Sequence, residues 1–122
     1  MKLPNAERAE IDIRKLTEYA LDREDPRGRH KARVFESALG YTVKNAEELK
    51  AKIFECIDIA ECRIGELDFY GQRYTADCRI RTEVGEGVVR TGWIIRRNED
   101  FPRLTTCFVL KEKKDETNDR TS

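Results

Sequence analysis

A chain of 122 residues carrying 24 Lys and Arg against 24 Asp and Glu, 39% charged and 39% hydrophobic, makes one domain with a modest core and a wet surface. This balance excludes a second domain, a disordered polyelectrolyte and a binder that grips nucleic acid by global charge excess. No apolar run approaches the roughly 20 residues that span a bilayer, and Met1-Lys2-Leu3-Pro4-Asn5 lacks a signal-peptide stretch, so the expected location is cytoplasmic, with no membrane partner.

The first helix signal is Asp12 as N-cap, followed by Ile13, Leu16, Ala20 and Leu21 at helical spacing up to about Asp22. Pro26 and Gly28 then break the chain. A second helix is expected from Arg29 to Leu39, with Val34, Phe35, Ala38 and Leu39 on one side and Gly40 as its left-handed end. Asn45 and Glu48 have the spacing of a capping box, and Leu49, Ile53, Cys56, Ile57 and Ala60 extend a third helix.

Beyond Ala60 the period changes to two. Tyr74, Ala76, Cys78 and Ile80 alternate with Arg73, Thr75, Asp77, Arg79 and Arg81, the pattern of a half-buried strand. Gly85-Glu86-Gly87 reads as the turn to a strand over 88–96, and Asn98 to Pro102 as the turn to a third strand through Leu104, Thr106, Phe108 and Leu110. Arg63 to Leu67 adds a short edge strand. The expected fold is α+β, about three helices followed by an antiparallel sheet of three to four strands, helices on one face. It fills residues 1–110, and the polar segment 111–122 reads as a disordered charged tail.

Cys56, Cys62, Cys78 and Cys107 form no C-x-x-C pair, so buried free thiols are expected and neither a metal site nor a cofactor. Trp93, among Val89, Thr91 and Ile95, reads as core. Charge is local: residues 23–33 hold five basic side chains against two acidic, 72–110 seven against five, and 44–70 four against seven. That asymmetry favours a basic face able to attract a polyanion such as RNA.

The only histidine, His30, falls in Gly28-Arg29-His30-Lys31-Ala32-Arg33, at the start of the second helix, where free N–H groups and the dipole favour anions. On a helix Arg33 shares its face and Lys31 does not. Arg73, Arg79 and Arg81 project from one side of their strand, where they repel one another unless partnered or facing an anion. Tyr70 and Tyr74 flank Gly71 at a strand entry, and Thr105 and Thr106 are expected to point to opposite faces, so that one hydroxyl lines any open site.

These segments, with the opening Leu3-Pro4-Asn5-Ala6-Glu7-Arg8-Ala9, Trp93-Ile94-Ile95 and Pro102-Arg103-Leu104-Thr105-Thr106, resemble a bacterial family of small domains of unknown function. Its members look like effector domains of polymorphic toxins, or solitary proteins encoded beside a small antitoxin-like partner. The order of helices and strands is similar to the superfamily of barnase, EndoU-like enzymes, certain colicins and RelE-like toxins, mostly metal-independent endoribonucleases.

The resemblance implies a toxin-type ribonuclease in which His30 is general acid or base, Arg33 and Arg73 stabilise the phosphorane, and Tyr70, Lys31, Asp77 or water takes the second proton role. Arg29, Lys31, Arg79 and Thr105 are the expected substrate contacts. A small antitoxin or immunity protein is the expected partner, and a homo-oligomer is compatible with the sequence. The alternatives are a non-catalytic partner-binding module, docking through the acidic helix around Glu47, Glu48 and Glu55 or through an open strand edge, and an RNA binder that does not cut.

Overall fold

Alternation of apolar and polar residues over Gly71–Arg81 and Glu86–Arg96 produces two long strands, β2 and β3, flanked by β1 (Cys62–Leu67) and β4 (Arg103–Val109). All three pairings are antiparallel, in the order β1-β2-β3-β4. In this computed structural model the described residues are 1–110, so the expected charged tail lies outside them. The α+β architecture is as expected: helical segments first, then a four-stranded meander. Among the described residues no helix is long and apolar enough to cross a membrane.

Helix α1 (Arg29–Leu39) buries Ala32, Phe35 and Leu39, and α2 (Ala46–Ile57) buries Ala46, Leu49, Ile53 and Ile57. Both pack on the face of the sheet that carries Tyr74, Ala76, Cys78, Ile80, Val89 and Trp93. Removing each large apolar side chain from water contributes about 1.5–3 kcal/mol, which makes this layer the main source of stability. Gly40 ends α1 at φ +79°, with its N–H on the Glu36 carbonyl and that of Tyr41 on the Phe35 carbonyl.

Three local readings are corrected. Asn45 caps no helix: its Oδ1 accepts from the Thr42 N–H at 2.8 Å while Thr42 Oγ1 accepts from the Lys44 N–H, so the capping box belongs to a short turn ahead of α2. The β2–β3 turn spans 82–85, because Thr82 Oγ1 accepts from the Val84 N–H and donates to the Leu39 carbonyl, leaving Glu86 and Gly87 inside β3. The first helix starts at Asp12, whose Oδ1 accepts from the Arg14 N–H, but widens into a π turn over Leu16–Ala20. The Leu21 N–H reaches the Leu16 carbonyl, so both leucines are buried and Tyr19 faces outward.

At the centre, buried Trp93 donates its Nε1–H to Thr91 Oγ1 at 2.8 Å, and that hydroxyl donates to the Ala76 carbonyl at 2.7 Å. Trp93 is therefore core, with its one polar atom satisfied. Thr91→Val leaves the indole N–H without a partner in the core and should lower unfolding stability by about 1–3 kcal/mol in urea titrations, whereas Thr91→Ser should retain most of it.

A candidate basic groove along β4

β4 holds an irregularity that the rest of the site follows. Its pairing with β3 shifts between Gly92 and Trp93, so two residues, Thr105 and Thr106, lie against one glycine. A Cβ on Gly92 would sit 3.0 Å from both Thr105 Oγ1 and Thr106 Cγ2. The two threonines therefore share the side of Gly92 that faces away from the core, correcting the expectation that they diverge.

On one side of this bulge a cleft of about 550 Å³ is lined by Ile11, Lys15, Lys50, Phe54, Arg96 and Thr105, among others. On the other, a cleft of about 310 Å³ is lined by Tyr19, Arg27, Gly28, Lys31 and Thr106. Residues of the two clefts are neighbours: Thr105 is bonded to Thr106, and the Lys15 ammonium lies 5.7 Å from the Tyr19 ring centroid. Lys31 arrives from the first turn of α1, its Nζ 4.4 Å above the Phe108 ring of β4. Lys15, Lys31, Lys50 and Arg96 have no carboxylate within ion-pair distance among the described residues.

The acidic side chains that line the clefts, Glu10, Asp12 and Asp25, each have an arginine partner. Arg14 donates to both Asp12 carboxylate oxygens, holding its pKa down at about 2. Glu10 accepts from Arg103 Nη1 at 3.0 Å, and Glu99 accepts from Arg103 Nε and Nη2, both at 2.9 Å.

Of the residues singled out in sequence, Lys31 and Thr105 reach this groove. His30, Arg29 and Arg33 are exposed on α1 and make no side-chain hydrogen bond or ion pair among the described residues. Arg73 and Arg79 alternate with the core-facing residues of β2 and so project from the opposite side of the sheet, away from α1. The sheet does not bring them to His30. Asp68 takes Arg73 at 2.7 Å, and Glu86 takes Arg79 at 3.2 Å and Arg81 at 3.4 Å. Tyr70 stands at the tip of the β1–β2 hairpin beside Arg73.

Sequence reasoning missed Lys15, Tyr19, Lys50, Arg96 and Arg103. The i, i+4 spacing of Lys15 and Tyr19 was a usable signal for a shared face. Lys50 and Arg96 join them only through tertiary packing.

Residues 2–111 match the model of the family described as Domain of unknown function (DUF6883). No curated protein and no solved structure matches the chain.

On the sheet's outer face Arg90 grips Asp77 through Nε at 2.9 Å and Nη2 at 3.0 Å, with Arg63 at 3.6 Å. The Arg90 guanidinium holds the Asp77 carboxyl below the usual carboxylate range. A carboxyl depressed in the folded state stabilises above its unfolded pKa, about 3.9, and loses that contribution as pH falls through its folded value. Asp77→Asn should therefore destabilise at neutral pH by about 1–2 kcal/mol, and urea titrations should show the gap to wild type closing below about pH 4.

Proposed function

We propose, for a chain that belongs to a family whose description assigns no activity, that the groove along β4 binds the phosphodiester backbone of RNA. The observation that carries this reading is the set of four cations, Lys15, Lys31, Lys50 and Arg96, that line the clefts on either side of the Thr105–Thr106 bulge and have no carboxylate within ion-pair distance among the described residues. A cation already neutralised by a carboxylate has little to gain from phosphate. An unneutralised one in a groove gains a charge-assisted hydrogen bond and releases counterions from the nucleic acid. The chain as a whole is neutral, so the attraction is confined to this strip.

Cleavage is the second reading, favoured by the groups that can move protons here. Metal-independent scission of RNA uses a base for the 2′-hydroxyl, an acid for the leaving oxygen and cations for the phosphorane charge. Lys31 and Tyr19 line the groove, and His30 precedes Lys31 on the exposed first turn of α1. Arg73 and Arg79, behind the sheet and held by Asp68 and Glu86, take no part. A toxin-type ribonuclease of this kind needs a small antitoxin or immunity protein in its host, and that partner belongs to the proposal.

Two assays separate the readings. In fluorescence anisotropy with a 2′-O-methyl oligonucleotide, which cannot be cut, binding should weaken with salt, and Lys15→Ala, Lys31→Ala and Lys50→Ala should each lower the log–log salt slope by about 0.7–0.9. With natural RNA in EDTA, cleavage should fall about a hundredfold or more in His30→Ala and in Lys31→Ala. Absence of binding at low salt overturns the first reading. Bound RNA that stays intact overturns the second and leaves the first.

A further inference from the structure

The tip of the β1–β2 hairpin turns two aromatic rings into solvent. Phe69 is 81% exposed and Tyr70 67%, with ring centroids 5.6 Å apart and planes at 85°. Water disfavours such a display, and a flexible turn would fold the rings back onto the apolar ledge of Ile64 and Leu67. This turn is not free to do so. Asp68 Oδ1 accepts from the Tyr70 and Gly71 N–H groups at 2.8 and 3.2 Å, while its Oδ2 holds Arg73.

Just beyond the end of β3, Arg97 donates to the Phe69 carbonyl at 2.6 Å and the Asp68 carbonyl at 2.8 Å. Gly71, at φ +152°, lies so close to the Ile95 carbonyl oxygen that any Cβ would collide with it. The backbone that carries the rings is thus fixed by hydrogen bonds, so less ordering is left for a ligand to impose.

The charge beside them selects the ligand. Arg97 is anchored by neutral carbonyls and has no carboxylate within ion-pair distance among the described residues, so a positive charge stands next to the rings. Arg96, paired with Gly71 across β2 and β3, has no carboxylate partner among the described residues and lines the β4 groove. A basic strip therefore runs from the groove to the aromatic tip. A ligand that matches it is an anionic polymer with bare flat faces.

We propose that Phe69 and Tyr70 form a stacking platform for unpaired bases, so that the RNA taken by the groove is single-stranded. A duplex keeps its base faces stacked on one another and offers the rings nothing beyond phosphate. This inference rests on the reading of the β4 groove as an RNA site, and the test keeps the two apart.

Anisotropy on the full chain would compare a 2′-O-methyl single strand of about 12 nucleotides with the duplex of the same sequence. The single strand should bind more tightly. The Phe69→Ala/Tyr70→Ala double variant, whose altered side chains are exposed, should lose about tenfold or more on the single strand and less than about twofold on the duplex. Tyr70→Phe, which keeps the ring, should bind like wild type.

Unchanged single-strand affinity in the double alanine variant, alongside a loss in Lys15→Ala/Lys50→Ala, overturns the platform and spares the groove. Equal affinity of wild type for strand and duplex does the same. A wild type that binds neither oligonucleotide overturns both. If the double variant instead loses a protein partner while its RNA affinity is unchanged, the tip is a protein-docking surface and the platform is overturned.

Discussion

The buried chain from Trp93 through Thr91 to the Ala76 carbonyl constrains both layers of the molecule. Trp93 brings the largest side chain to the core, and burying it is favourable only if its N–H finds an acceptor there. Thr91 can be that acceptor because it lies two residues away on the same face of β3. Its own proton then needs an oxygen from β2, and Ala76 sits directly opposite it. The pairing of β2 with β3 is thereby tied to the position of the indole. A slip of one residue would turn Trp93 to the outer face and break the chain.

Gly92, caught between Thr91 and Trp93, carries the consequence to the other face. Its missing side chain leaves room for β4 to place two threonines where a regular ladder has one residue. The same β2–β3 register sets Asp77 against Arg90, so the arginine-rich outer face acquires its partners from neighbouring strands. Formal neutrality thus conceals two kinds of cation. Those on the outer face of β2 are spent on carboxylates, while Lys15, Lys31, Lys50 and Arg96 beside the bulge have no carboxylate partner among the described residues. This division leaves the arginine stripe neutralised and the lysines beside β4 without carboxylate partners among the described residues, although the stripe is the more conspicuous feature of the sequence.

Where periodicity reports burial directly, the sequence was legible. Alternation over β2 and the apolar side of α1 each demand one packed face, and Gly40 ends α1 by the left-handed conformation expected of it. Legibility failed where a single polar atom decides between neighbouring alternatives. Thr82 and Asn45 each redirect a backbone turn through one side-chain oxygen, and nothing in hydrophobic spacing reports that choice. The error at Thr82 then propagated. A turn centred on Glu86 would set Asp77 against Ile95 and hide its pair with Arg90. His30 drew attention as the lone imidazole, but composition carries no information on which side of the sheet its helix lies.

The cations of the outer face and of the groove also differ in how readily a ligand can recruit them. Arg90 and Arg103 are each held by two parallel hydrogen bonds to one carboxylate, a geometry that a phosphate can only replace at the expense of stranding the carboxylate. Lys31 rests on the Phe108 ring and Lys15 on Tyr19, contacts of about 0.5–1 kcal/mol at an exposed position that leave all three ammonium protons open to other acceptors. Each aromatic contact restrains its lysine, lowering the rotamer entropy that a free lysine would lose on gripping a phosphate. Displacing the ammonium strands no charge and exposes no buried polar group. The lysines are therefore poised rather than neutralised, and the bulge supplies Thr105 to one lysine-bearing cleft and Thr106 to the other.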